Sequence, residues 1–240
     1  MTKIVSVSIL TISLFSWASG QSTKPPNLPA KSTSTGSTTK TGSVKAPTTI
    51  DRGTVSGRTY ANKTLNFEIT FPDTWLMADD EFYAYMKSRG FDLSPKPPKA
   101  ANPLAQSQLD AAFKRVTVLI SAYRSMPGTP ENTVARVAVE DIRNANTNRP
   151  IKDAVDYIDL LRSTLQLVKM PADFQYSETG AEKLGNHQFA YLDTASKEGK
   201  SRLYATIRGG YAILFTLNYF ADEDLDTFRD TLARANFSLK

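Results

Sequence analysis

The chain has 240 residues, 40% of them hydrophobic and 22% charged, so it can bury a sizeable core and is not globally disordered. It contains no cysteine, which excludes disulfides, thiol catalysis and thiolate metal sites. The formal net charge of +5 is unevenly distributed, because residues 21–58 carry six Lys or Arg against Asp51 alone and Lys3 adds one more. Residues 59–240 therefore carry a formal net charge of −1. The sequence therefore favours one main domain without a basic surface, and nucleic acid is not an expected partner.

The first 20 residues have the pattern of a secretory signal peptide. Lys3 gives a basic start, residues 4–17 are apolar apart from Ser and Thr, and residues 18–20 are small, as signal peptidase requires. A retained membrane anchor is the alternative, but about 14 apolar residues fall short of the roughly 20 that span a bilayer. We therefore expect cleavage before Gln21 and an extracytoplasmic location, either periplasmic or secreted.

Residues 21–58 form a segment rich in Ser, Thr, Lys and Pro. Between residues 21 and 50 there are 13 Ser or Thr, four Pro and four Lys, and almost no side chain that could join a core. Such a segment cannot offset its conformational entropy by burial, so we expect a disordered tether. Each of its Lys side chains would contribute about 1 kcal/mol beside an anionic membrane. We expect at most weak membrane-surface contact, and a solvated spacer is the simpler interpretation.

From residue 59 to 240 the sequence predicts the strands and helices of one domain. Period-2 hydrophobic patterns indicate strands, period-3.6 stripes indicate helices, and Pro or Gly clusters separate them. In chain order, the predicted elements are a strand over Leu65–Phe71, helices over Asp79–Arg89 and Leu104–Phe113, strands over Arg115–Tyr123 and Thr133–Ile142, a helix over Pro150–Lys169, a strand around Phe189 and Tyr191, strands over Ser201–Arg208 and Tyr211–Phe220, and a helix over Asp222–Ala235.

Two of these elements carry the clearest patterns. In the helix predicted over residues 150–169, one apolar stripe runs from Ile151 to Val168, and Pro150 suits the first turn. The strand predicted over residues 211–220 is apolar on both faces, which indicates a strand covered on both sides. Gly209 and Gly210 precede it and fit a two-residue hairpin, because glycine readily takes the positive φ angles of such turns.

Together the elements predict an α+β fold, a three-layer α/β/α sandwich around a mainly antiparallel sheet of about six strands. Two segments resemble the PsbP-like superfamily. The first is Tyr60 followed by the run Phe-Glu-Ile-Thr-Phe-Pro-Asp-Thr-Trp at 67–75, and the second is Gly210-Tyr211 followed by an acidic helix start and Asn236-Phe237. The resemblance implies a secreted or lumenal, non-enzymatic accessory or binding domain. It transfers no site, because the metal-associated histidines of photosynthetic members have no counterpart in a chain with one histidine.

The single histidine, His187, lies on the same predicted strand face as Phe189 and Tyr191. A general base of the triad type needs a nucleophile and an orienting carboxylate. Asp193 lies on the same strand face but too far along it to serve as that carboxylate. We therefore expect an ordinary sheet position for His187 and no catalytic residue. A metal site built from several histidines is also excluded.

Asp222, Asp224 and Asp226 have the spacing with which a calcium-binding loop begins. A calcium loop also needs Gly at its sixth position and a bidentate Glu at its twelfth, where this chain has Thr227 and Ala233. The helix-start interpretation is therefore preferred, and the sequence predicts no metal site. Motifs for phosphate-binding loops and nucleophile elbows are also absent from the sequence, so no cofactor is expected.

Two functional hypotheses remain. Trp75, Phe82, Tyr83 and Tyr85 could form an aromatic patch that binds a protein or envelope component, although a core position is commoner for such residues. The chain would then be a tethered binding or accessory domain. The alternative is an extracytoplasmic hydrolase that uses paired carboxylates. A cleft with converging acids would favour the hydrolase, and a shallow aromatic patch would favour the binding domain.

Overall fold

The computed structural model describes residues 50–100, 102–143 and 150–238. The predicted signal peptide and residues 21–49 of the predicted tether lie outside the described residues. In the described part, four helices and two antiparallel sheets form the α+β fold that the sequence predicts. The helices are α1 (Asp80–Ser88), α2 (Pro103–Phe113), α3 (Ala154–Thr164) and α4 (Asp222–Arg234), and a short 3-10 helix, Leu165–Leu167, follows α3.

The described strands number eleven. They are β1 (Thr54–Ser56), β2 (Thr59–Asn62), β3 (Phe67–Thr70), β4 (Leu76–Met77), β5 (Val116–Tyr123), β6 (Val134–Asp141), β7 (Gln175–Tyr176), β8 (Gly180–Leu184), β9 (His187–Ser196), β10 (Gly199–Arg208) and β11 (Tyr211–Tyr219). A small sheet has the order β1-β2-β3, and a large sheet has the order β4-β5-β6-β11-β10-β9-β7, with β8 also pairing with β9. The large sheet has eight strands where about six were predicted. The predicted strand Leu65–Phe71 lies in the small sheet as β3, and the large sheet gains β4, β7 and β8, which are too short or too polar to give a pattern.

Strand β11 is buried on both faces and contacts both hydrophobic clusters of the domain. Its nine residues are all buried, and alternate side chains enter different hydrophobic clusters, as the sequence predicts. On one face, Ile213 and Phe215 pack with residues of β3 and with Phe228 and Leu232 of α4. On the other face, Leu214 packs with residues of α3 and α2. Burying each large side chain contributes about 1.5–3 kcal/mol, so the three layers are stabilised mainly through this strand.

The hairpin between β10 and β11 turns at Gly209 and Gly210, as predicted. Both glycines have positive φ angles, 53° and 80°. Arg208 then faces Tyr211 in register, and the two strands pair along their whole length. This local turn brings two central strands of the large sheet together without any crossover.

The structure corrects the predicted start of two elements. Residues 54–56, placed in the tether by the sequence, form β1 and pair with β2, and Ile50 packs against the core. Helix α3 starts at Ala154 and not near Pro150, because the Asp153 carboxylate caps it by accepting hydrogen bonds at 2.9 Å from the amides of Val155 and Asp156. The ordered domain is therefore longer, and this helix shorter, than the sequence predicts.

Candidate functional site

Of the four aromatic residues predicted to form a binding patch, one is buried in the core and three lie on α1. Trp75 is 3% exposed and stacks on Phe71 in the core, which removes it from any exposed patch. Phe82 and Tyr83 are half-buried on α1, whereas Tyr85 is 52% exposed. The core therefore takes the largest ring of the predicted set, and the other three rings lie on one helix, α1.

The two half-buried rings hold α1 against the end of β5. The ring of Phe82 stacks on that of Tyr123 with centroids 5.6 Å apart, and the Tyr83 hydroxyl donates to Ser121 Oγ at 3.3 Å. The carboxylate of Asp79 accepts a hydrogen bond from the Phe82 amide at 2.8 Å and so fixes where the helix begins. The first turn of α1 therefore lies beside the edge of the large sheet.

A groove with a volume of about 580 Å³ lies along this edge. Its lining comes chiefly from three places: β5 (Val116–Ile120), the start of α1 (Asp79, Asp80, Tyr83) and the small sheet with the segment before it (Arg52, Gly53, Val55, Tyr60). Apolar strand side chains therefore lie beside two carboxylates and a guanidinium. Asp80 and Arg52 are both exposed, so the groove presents charges of opposite sign to solvent.

Along the groove, β5 has a free edge. Its neighbour β4 pairs with it at Ala122 and Tyr123, and the amide of Ala78 donates to the Ser121 carbonyl at 2.9 Å. Beyond that point, no strand in residues 50–100, 102–143 or 150–238 pairs with Val116–Ile120 on this side. On its other side, β5 is paired with β6 along its length, with one bulge between Val118 and Ile120. The groove therefore borders a row of backbone donors and acceptors.

Tyr60 connects the small sheet to the groove. Its hydroxyl donates to the Arg52 carbonyl at 2.8 Å and accepts a hydrogen bond from Asn62 Nδ2 at 3.0 Å. Burial raises the pKa of Tyr60 to about 12, so the hydroxyl keeps its proton at physiological pH. The segment around Arg52 is thereby tied to the fold, which explains why residues assigned to the tether form part of this wall.

Several carboxylates that the hydrolase hypothesis could use are engaged with arginines. Arg202 donates to both carboxylate oxygens of Asp193 at 2.6 Å, and its guanidinium lies 4.4 Å from the ring centroid of Tyr191. Nearby, Glu182 accepts hydrogen bonds from Arg229 at 2.9 Å and from the Tyr204 hydroxyl. This group of side chains joins β8, β9, β10 and α4.

Such contacts suit structural ion pairs better than acid catalysis. A glycosidase-type pair needs two carboxyl groups that are free to reach the substrate, whereas these carboxylates accept hydrogen bonds from neighbouring side chains. The same pairing holds for the most buried acids, since Glu140 is bound by Arg115 and Asp224 by Arg124. The carboxylates of the described core therefore do not favour the hydrolase alternative.

His187 lies on β9, on the same face of the strand as Phe189 and Tyr191, as the sequence predicts. Its Nε2 is 2.9 Å from the Thr206 hydroxyl, and its ring stacks on Phe237 with centroids 4.1 Å apart and an edge-on contact to Phe189. Burial lowers the pKa of His187, and the positive charge of Arg208 lowers it further. The ring therefore serves as a neutral packing element between the sheet and the C-terminal segment.

Acidification should destabilise the fold through His187. The unfolded histidine takes up a proton near pH 6.5 while the folded one resists it, so the stability contributed by the neutral ring is present above that pH and is lost as the pH falls. We expect the melting-temperature difference between wild type and His187→Gln to narrow from pH 7.5 to pH 5. A difference that stays constant over this range would show that His187 titrates alike in both states.

Asp222, Asp224 and Asp226 do not form a calcium loop. Asp222 begins α4, and the Asp224 carboxylate is buried and accepts two hydrogen bonds at 2.8 Å from Arg124. Within residues 50–100, 102–143 and 150–238 there is no group of three or more His, Cys, Asp or Glu arranged to hold a metal ion. The carboxylates at this position are used for helix initiation and for docking α4 onto the sheet.

The sequence does not predict the groove, although it predicts the strand that lines it and includes one lining residue, Tyr83, in the predicted aromatic set. Residues 115–123 form a strand with no charge after Arg115, but whether a strand lies at an edge depends on long-range pairing. One local signal was available: Leu76 and Met77 lie between Trp75 and the Asp79 helix cap, so any strand there had to be very short. A partner strand of two residues leaves most of β5 uncovered.

Neither a family model nor a curated protein matches the chain. Among solved structures, the fold is similar to a PsbP-type protein. That protein is cyanobacterial PsbP (CyanoP) from Synechocystis sp. PCC 6803, whose solution structure matches with a TM-score of 0.41 and 15% identity over 77% of this chain and 97% of that chain.

A second similar structure is a crystal structure at 1.50 Å from Bacteroides thetaiotaomicron VPI-5482. It matches with a TM-score of 0.38 and 10% identity over 76% of this chain and 48% of that chain. The likeness to both is one of fold and assigns no site or ligand to this chain. Among the described helices, none combines the length and apolar character that crossing a bilayer requires.

Proposed function

We propose that this chain is an exported, non-enzymatic binding or accessory domain whose binding surface is the groove along β5. In this proposal, residues 1–20 direct export to the periplasm or the exterior. Residues 21–49 act as the tether that separates the domain from its surroundings, and the partner is a protein or another envelope component. The observation that carries the proposal is the free edge of β5 within a groove of about 580 Å³.

The lining supports binding better than chemistry. The groove combines an uncharged strand edge, a Tyr60 hydroxyl whose pKa is raised to about 12, and two carboxylates at a helix start. Asp79 is already engaged as the helix cap. Polar groups that can orient a ligand beside apolar strand side chains are typical of binding sites.

Site-specific cross-linking tests the proposal, because a chain without cysteine accepts a single labelled one. Val55 lines the groove and is 40% exposed, so Val55→Cys can carry a photoreactive label there. Glu198→Cys, at the exposed turn between β9 and β10, is the matched control. In the native host, we expect a defined adduct from position 55 and none from position 198. The same adducts from both positions, or none from either, would refute the groove as the binding surface.

A further inference from the structure

The unpaired part of β5 lacks most of the devices that protect edge strands. Its groove-lining segment, Val116–Ile120, reads Val-Thr-Val-Leu-Ile and contains no charge, Pro or Gly. Natural edges are usually short, charged, bulged or covered, because a long apolar edge pairs with other chains. Here the bulge between Val118 and Ile120 is the one such device on this segment, and it distorts the pairing with β6.

The opposite edge of the same sheet provides an internal comparison. There, β9 is flanked by β7, which has two residues, and by β8, which has five and carries Glu182 and Lys183. Short length and charge are the expected protection against edge-to-edge pairing. The edge formed by β7 and β8 is therefore protected by short length and charge, whereas the edge in the groove has no paired strand over five residues.

The groove continues the path that β4 begins. β4 runs antiparallel to β5 opposite Tyr123 and Ala122, and the chain then leaves at Asp79 to start α1. The space beside Val116–Ile120 is thus the continuation of that strand position. At about 3.3 Å per residue, five residues span about 16 Å, which is enough for a short added strand.

The chemistry of the edge selects one class of ligand. A strand edge offers alternating N–H and C=O groups at the spacing of another extended backbone, and strand addition is a recurrent mode of peptide recognition. Every described pairing in the large sheet is antiparallel, so an added strand that follows β4 would also run antiparallel to β5. Its N-terminal end would then lie next to Ala78 and the carboxylates of Asp79 and Asp80.

The charge of the groove beside Ala78 indicates which residue type the ligand carries at its N-terminal end. Asp79 is engaged by the Phe82 amide, whereas Asp80 is exposed and lines the groove. On the basis of the proposed function, we infer that the groove binds an extended segment of another protein. This segment is added antiparallel to β5 and carries a Lys or Arg at its N-terminal end, beside Asp80. The main-chain hydrogen bonds supply affinity and the basic side chain sets direction.

The test uses the full chain and a fluorescent pool of seven-residue peptides that begin with Lys and continue with Val, Thr or Ile. A matched pool carries N-methyl groups on alternate amides, which removes backbone donors but keeps the side chains. We expect the plain pool to bind, N-methylation to weaken binding at least tenfold, and hydrogen exchange of the amides in Val116–Ile120 to slow. Asp80→Lys should weaken binding about fivefold, whereas Glu81→Lys, one residue on and outside the groove lining, should not.

Several results would overturn the inference. These are equal binding of the two pools, no binding at millimolar concentration, or protection that maps away from β5. A concentration-dependent dimer that protects the same amides without peptide would make a second copy of this chain the occupant instead. If the Val55→Cys label captures a partner while peptides fail to bind, this inference is refuted and the proposed function stands. If both experiments fail, the proposed function is refuted as well.

Discussion

Replacing Glu140 by alanine should lower the free energy of unfolding by about 3–5 kcal/mol. The Glu140 side chain on β6 is 1% exposed, and its Oε1 accepts two hydrogen bonds from Arg115, at 3.0 and 3.2 Å. Its Oε2 accepts a hydrogen bond from the Tyr157 hydroxyl of α3 at 2.8 Å. Removing the carboxylate takes a hydrogen-bond partner from the Arg115 guanidinium and from the fully buried Tyr157 hydroxyl, so part of the cost of burying these groups is no longer offset.

Two further variants show whether the loss of stability is specific to the contacts of the Glu140 carboxylate or follows from any substitution in this region. Tyr157→Phe removes one hydrogen bond to a charged acceptor while keeping the ring, so it should cost about 1–3 kcal/mol. Asp141→Ala, at the next position of the same strand, removes an exposed ion pair with Arg143 and should leave the urea midpoint within error of wild type. Equal losses in Glu140→Ala and Asp141→Ala would contradict the structural role assigned to the buried carboxylate.

Local patterns predicted most of the fold. The double-sided apolar character of residues 211–219 placed β11 at the centre, and Gly209 with Gly210 predicted the hairpin that pairs it with β10. These features are encoded within a few residues of one another. The start of α3 is predicted too early because Pro150 suits the first turn of a helix, whereas the hydrogen bonds that the Asp153 carboxylate accepts place the helix cap at that residue.

The candidate site was less predictable because it depends on distant pairs. Glu140, Arg115 and Tyr157 are brought together by the pairing of β5 with β6 and by the packing of α3, and no local pattern indicates that they meet. The groove arises in the same way, from a two-residue β4 beside an eight-residue β5. The sequence identified aromatic side chains near α1 but could not show that Trp75 enters the core while the neighbouring strand edge stays open.

Gly185→Ala is the second substitution for which we expect a large effect, a loss of about 2–5 kcal/mol in the free energy of unfolding. Gly185 turns the chain between β8 and β9 with a φ angle of 55°, a conformation that costs an L-residue about 1–2 kcal/mol. A Cβ atom at this position would also lie 2.1 Å from the backbone carbonyl oxygen of Ala233. Because that oxygen belongs to the last turn of α4, the helix end or the hairpin would have to move.

Gly209→Ala separates the two contributions to that loss. Gly209 has nearly the same φ angle, 53°, and a Cβ there would meet no atom within 4 Å. The Gly209→Ala variant should therefore lose only the conformational part of the free energy of unfolding, about 1–2 kcal/mol. Thermal or urea unfolding of both variants measures how much more stability Gly185→Ala loses. Greater stability of Gly185→Ala than of Gly209→Ala would mean that α4 does not dock where the hairpin between β8 and β9 meets it. In that case the cluster that joins α4 to β3 and β11 would have to be packed differently.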